Sequence, residues 1–212
     1  MFEVTITALD LLGVIAFTIT GALVASRKQM DVVGFVVLGT VTGIGGGTLR
    51  DVLLGLPVFW IREPTYLLAC ALASVLVFFA AHIPPSRYRY LLWLDAIGLA
   101  LFAVTGAEKA GHAGADVTVA VAMGVITATF GGIVRDLLGG ESPMILSREI
   151  YASAALTGAV IFATLMAAGI PREAAVGAGF AIGLLIRAAA LHYGWSLPRY
   201  RPRPGLPYNP SQ

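Results

Sequence analysis

Residues 10–66 recur 85 positions further along the chain, and the register holds without a gap. Asp10 and Gly13 match Asp95 and Gly98; Phe17 matches Phe102; Thr20, Gly21 and Ala22 match Thr105, Gly106 and Ala107. Asp31, Gly39 and Thr42 match Asp116, Gly124 and Thr127. Gly46 and Gly47 match Gly131 and Gly132, Arg50 and Asp51 match Arg135 and Asp136, and Gly55 and Tyr66 match Gly140 and Tyr151. An apolar chain could give scattered Ala, Gly, Val or Leu matches by chance, but it would not keep the rare charged residues in register. Each copy contains three apolar runs. If every run crosses a membrane, the odd number makes the second copy enter from the opposite face, the inverted-repeat plan of many transporters.

The composition requires that membrane. The chain is 58% hydrophobic and 12% charged, against about 45–50% and about 25% for a soluble domain. A spanning helix needs about 20 mostly apolar residues. Seven segments qualify, at about 8–25, 32–54, 64–82, 91–108, 115–138, 150–168 and 172–193. They are separated by breakers such as Pro57, Pro64, Pro84, Pro85 and Pro171. The expected fold is all-α: a transmembrane domain over 1–195, with repeat 1 at about 8–82, repeat 2 at about 91–168 and a seventh helix outside the repeat. A Pro-rich tail follows over 196–212. The N-terminus has no basic region of the kind a cleaved signal begins with, so the first segment is expected to remain as a helix.

The basic residues give an orientation. Arg27, Lys28, Arg87, Arg89, Arg135, Arg148, Arg187, Arg199, Arg201 and Arg203 fall on one side; Arg50, Arg62, Lys109 and Arg172 fall on the other. By the positive-inside rule the side with ten is cytoplasmic, so the N-terminus is outside and the C-terminus inside. Trp60, Trp93 and Trp195 lie at the segment ends, where interfacial aromatics belong.

The second and fifth segments stand apart. The second contains Gly45, Gly46 and Gly47 ahead of Arg50 and Asp51, and the fifth contains Gly131 and Gly132 ahead of Arg135 and Asp136. Consecutive glycines weaken a helix by about 1 kcal/mol each. They permit a bend at a cavity, or else close packing of two helices. The charges add weight to the first option, because intramembrane Arg and Asp face protein or water. The competing reading has them snorkelling to lipid phosphate. On the path-lining reading, one Arg–Asp pair sits near each mouth of a central passage. Asp10 and Asp95 begin their segments, where N-capping is the ordinary role, although Asp95 follows an apolar run and could hydrate a cavity. Thr20 and Thr105 are candidate path hydroxyls, or they bond back to their own helices. Glu108 and Lys109 read as a solvated ion pair.

Other classes find little support. The one cysteine, Cys70, and three dispersed histidines offer no metal-ligand spacing. No nucleotide motif is complete, no nucleophile–base set is present, and no basic run outside the tail suits nucleic acid. No enzyme activity, metal or cofactor is expected. The run Gly45-Gly46-Gly47-Thr48-Leu49-Arg50-Asp51-Val52-Leu53-Leu54-Gly55, followed by Pro57-Val58-Phe59-Trp60, resembles the signature of the bacterial branch of the trimeric intracellular cation channel family. Residues 130–136 resemble its second copy, and the resemblance covers about residues 5–195. It implies seven helices, a homotrimer in a bacterial inner membrane and one pore per protomer lined by the glycine-kinked helices. It also implies passive conduction of monovalent cations, chiefly potassium, with potassium or sodium ions and membrane lipids as partners. On this sequence the pore residues would be Gly45, Gly46, Gly47, Gly131 and Gly132, with Arg50 and Arg135 as pore charges. Phe130 stands where the triple glycine of the second copy would begin. A secondary transporter of a small zwitterion such as glycine is the alternative, since paired Arg and Asp suit a carboxylate and an ammonium.

Overall fold

The computed structural model describes residues 2–82 and 86–198, with side chains from residue 6 onward. Pro84, Pro85 and the tail beyond residue 198, with Arg199, Arg201 and Arg203, lie outside the described residues. The described chain is helical: α1 (Phe2–Arg27), α2 (Val32–Leu53), the short α3 (Phe59–Arg62), α4 (Thr65–Ala80), α5 (Arg87–His112), α6 (Val117–Leu138), α7 (Ala152–Ala167) and α8 (Arg172–Tyr193). A 3-10 turn, Met144–Leu146, occupies in the second copy the place α3 holds in the first. Five of these helices are long and apolar enough to cross a membrane, and α4 and α7 are shorter apolar helices of 16 residues.

Local chemistry sets the ends. Asp31 caps α2 by accepting the Gly34 N–H at 2.8 Å, and Asp116 caps α6 by accepting the Thr118 N–H at 2.9 Å. Gly55 and Gly140, at φ +66° and +65°, turn the chain after α2 and α6 in a conformation that side chains resist. Both α1 and α5 run 26 residues, longer than their apolar runs. At α5, Ser86 provides the cap, and Arg87, Glu108 and Lys109 are helix formers that extend it.

The outer surface is apolar and the interior carries charge. Leu68, Leu72, Leu76 and Phe79 form an outward stripe on α4, each at least 60% exposed. Arg50, Asp51, Asp95, Arg135, Asp136 and Arg187 are all buried. Water would favour the reverse arrangement, and lipid favours this one.

Contacts at the helix termini fix directions. The Arg27 guanidinium, in the last turn of α1, lies 5.1 Å over the Tyr88 ring in the first turn of α5 and 3.1 Å from Glu141, just after α6. Lys109, in the last turn of α5, reaches Asp51 in the last turn of α2 at 3.1 Å, and Glu108 pairs with Arg172 at the start of α8. Thus α1 and its sequence counterpart α5 run in opposite directions. The C-termini of α2 and α6 lie at opposite ends of the bundle, called below the Asp51 end and the Asp136 end.

Contacts between the copies are reciprocal. Phe17 stacks on its own counterpart Phe102 at 5.3 Å. Gly13 faces the Phe102 ring, and Gly98 faces the Phe17 ring. At the crossing of α2 and α6, a Cβ on Gly46 would lie 2.1 Å from the Thr127 carbonyl oxygen, and one on Gly131 would lie 2.4 Å from that of Thr42. The glycine runs do not break these helices: α2 and α6 are continuous through Gly45–Gly47 and Gly131–Gly132. The missing Cβ atoms instead let the two backbones touch.

Candidate functional site: two buried arginine–aspartate clusters

Each end of the α2–α6 crossing carries the same hydrogen-bond unit. At the Asp51 end, Arg50 Nε donates to Asp51 Oδ1 at 2.9 Å, and Asp51 Oδ2 accepts the Phe59 N–H at 2.9 Å. At the Asp136 end, Arg135 Nε donates to Asp136 Oδ1 at 2.9 Å, and Asp136 Oδ2 accepts the Met144 N–H at 2.9 Å. The aspartate therefore ties its own arginine to the loop that follows the helix at both ends. Both arginines are fully buried, so neither snorkels to lipid.

The remaining partners differ. Arg135 Nη1 donates to Asp95 Oδ1 at 2.6 Å and to Thr20 Oγ1 at 2.9 Å. Arg50 Nη1 stands 3.8 Å from Asp10 Oδ1, beyond hydrogen-bond range, and neither of its Nη atoms has a hydrogen-bond partner among the described residues. Lys109 supplies a second cation to Asp51, whereas the matching position of the first copy is Val24. The formal charges sum to zero over Asp10, Arg50, Asp51 and Lys109, and to −1 over Asp95, Arg135 and Asp136.

Access differs too. A cavity of about 360 Å³ opens at the Asp51 end, lined in part by Asp10, Glu63, Tyr66, Thr105, Lys109 and Arg172. Asp95, by contrast, is fully buried, while the Asp10 side chain is 13% exposed.

Several expectations are corrected. Asp10 and Asp95 do not cap helices, because α1 and α5 begin eight residues earlier, at Phe2 and Arg87; their carboxylates face the arginines instead. Glu108 and Lys109 are not partners in solvent: Glu108 is buried against Arg172, and Lys109 reaches Asp51. Thr20 bonds back to the Phe17 carbonyl at 2.7 Å, as the commoner reading expected, and still accepts from Arg135 across the repeats. Thr105 donates to Asp10 at a long 3.4 Å. Gly47 accommodates the Phe59 ring and Gly132 the Tyr151 hydroxyl, so the glycines, arginines and aspartates converge on one crossing. Arg187 and Glu149 were not singled out as site residues. The available signal was a lone arginine inside the apolar stretch of α8, which is a functional candidate by default.

Apolar helices around a charged interior define an integral membrane protein. The family model described as "Glycine transporter" matches residues 7–82 and again 92–167, the two copies of the repeat. The chain is 43% identical over 195 residues to the UPF0126 inner membrane protein YadS of Escherichia coli, covering 91% of this chain and 94% of that one. It is 64% identical to the TRIC trimeric intracellular cation channel orthologue of Rhodobacter sphaeroides, with a TM-score of 0.88 over 90% of this chain and 99% of that one. A second solved structure, described as a TRIC cation channel, is 36% identical with a TM-score of 0.84, covering 94% and 98%. The chain belongs to the trimeric intracellular cation channel family, in its bacterial branch.

Proposed function

We propose that the protein is a passive monovalent cation channel, conducting potassium through a pore inside each protomer of a homotrimer. The carrying observation is the α2–α6 crossing with a buried Arg–Asp unit at each end, one of them beside an open cavity. Charges held inside a membrane protein are costly and mark ion paths. Gly45, Gly46, Gly47, Gly131 and Gly132, with Arg50, Asp51, Arg135 and Asp136, would line that path. Thr20, Thr105 and Asp95 would complete it. The similarity to solved TRIC cation channels supports the reading. In it, seven helices span a bacterial inner membrane as an inverted three-plus-three repeat plus α8. Helices α4 and α7, at 16 residues, would reach about 24 Å, which membrane thinning or flanking loops accommodate. The Asp136 end, with most of the basic residues, faces the cytoplasm.

Purified protein in liposomes tests this. Potassium flux should not saturate with concentration and should change on Arg50→Ala and Arg135→Ala. A monomer mass under native conditions would contradict the trimer.

Two observations favour a second reading. The cavity at the Asp51 end presents carboxylates and cations together, as an amino-acid zwitterion requires, and the family model bears the description of a glycine transporter. Saturable uptake of one small amino acid would establish that reading over the channel.

A further inference from the structure

The two ends are built from matching residues, yet they close differently. At the Asp51 end, Glu63 and Tyr66 line the cavity. Their counterparts in the 85-residue register are Arg148 and Tyr151. Tyr66 and Tyr151 are both buried, but the Tyr151 hydroxyl and Arg135 Nη2 crowd the space beside Gly132. What covers it comes from α8, the helix outside the repeat. Arg187, fully buried, lies 5.2 Å over the Tyr151 ring. Its Nη2 stands 2.7 Å from Glu149 Oε2, and its Nη1 donates to the Ile150 carbonyl at 3.1 Å. One guanidinium thus grips three consecutive residues of the loop between α6 and α7.

The segment after α8 adds a second hold on the same loop. Gly194, at φ +68°, turns the chain back. Ser196 pairs with Glu149 in an antiparallel bridge, and the Leu197 N–H donates to the Arg148 carbonyl at 2.8 Å. At the Asp51 end α8 contributes Arg172, which pairs with Glu108 and lines the cavity; among the described residues a backbone strap like Ser196–Leu197 is found at the Asp136 end alone. The grip is also incomplete: Arg187 Nε is buried without a hydrogen-bond partner among the described residues. An unmet buried donor lowers the cost of release.

We infer that Arg187, together with the Ser196–Leu197 strap, is the positioning element that holds the Asp136 end closed, and that the end opens when residues 147–151 detach from α8. The flux consequence rests on the channel reading; the accessibility consequence does not. Arg187 acts through Glu149, Ile150 and Tyr151 and touches no permeant ion.

The test uses two readouts on the full chain. In the first, Met144→Cys is placed in a Cys70→Ser background, and a membrane-impermeant thiol reagent is applied from the Asp136 side. Met144 is buried, so labelling is slow with Arg187 intact. Glu149→Gln, Arg187→Gln and truncation after Gly194 should each accelerate it, on the order of tenfold for loss of one charge-assisted contact. The second readout is potassium flux, which should rise in the same variants. Arg187→Lys, which keeps a cation and a donor beside Glu149, Ile150 and the Tyr151 ring, should stay nearer to the parent in both readouts than Arg187→Gln. Glu149 is a loop residue, so Glu149→Gln remains informative if Arg187→Gln fails to fold. Labelling unchanged in Glu149→Gln and in the truncated chain would overturn the inference. Labelling that rises while no variant conducts potassium would overturn the channel reading and leave the closure intact.

Discussion

Replacing Gly46 by alanine separates a packing role from a purely pore-lining one. The new Cβ would meet the Thr127 carbonyl oxygen at 2.1 Å. An ordinary carbon–oxygen contact is about 3.3–3.6 Å, so α2 and α6 would have to part by roughly 1.2 Å. The obstacle is backbone and cannot rotate away. Overpacking of this kind costs about 1–3 kcal/mol. Its neighbour is the control. A Cβ on Gly45 would find the Gly131 Cα at 3.7 Å and the Phe130 ring at 4.0 Å, both ordinary contacts. Gly45→Ala should therefore keep the helix-propensity gain of up to about 1 kcal/mol. Thermal unfolding of the detergent-solubilised protein should place Gly46→Ala below the parent, by about 2–4 °C per kcal/mol, and Gly45→Ala at or above it. Gly131→Ala should behave like Gly46→Ala, because its Cβ meets the Thr42 carbonyl oxygen at 2.4 Å. Equal melting temperatures for Gly45→Ala and Gly46→Ala would refute the close-crossing argument.

Other outcomes follow from the same geometry. Asp95→Asn should lower stability by about 1.5–3 kcal/mol, since it weakens a buried charge-assisted contact at 2.6 Å while Asp136 still balances the Arg135 guanidinium; Asp10→Asn, at 3.8 Å and partly exposed, should cost clearly less in the same thermal melts. Gly55→Ala and Gly140→Ala should each cost about 1–2 kcal/mol from the left-handed backbone alone, as neither has a neighbour within 4 Å. A double-mutant cycle on Phe17→Leu and Phe102→Leu should show coupling of about 0.5–1.5 kcal/mol from their stacking, and strict additivity would exclude it.

Much of the site was legible because polar residues are scarce in an apolar chain. Arg50, Asp51, Arg135 and Asp136 stood out by type and by register, and all four lie in the two clusters. Their partners were less visible. Asp10 and Asp95 sit 40 residues before the arginines they face, and nothing local distinguishes an aspartate one helix away from a cap. Lys109 and Glu108 are adjacent in sequence but project to different partners, Asp51 and Arg172, because consecutive residues of a helix point about 100° apart. The glycines were read as points of weakness. Whether a missing Cβ creates a bend or a contact depends on what lies opposite, and Thr42 and Thr127 lie on the other copy.

Sequence alone determined the solvent, the helical segments and the duplication, since apolar length, breaker residues and recurring charges are properties of the chain in order. Tertiary structure decided which charge meets which, that α2 and α6 touch backbone to backbone, and that the two ends differ in closure. That last difference has a simple physical origin. The repeat makes the ends alike, and only the unrepeated α8 brings Arg187 and the segment after Gly194 to one of them.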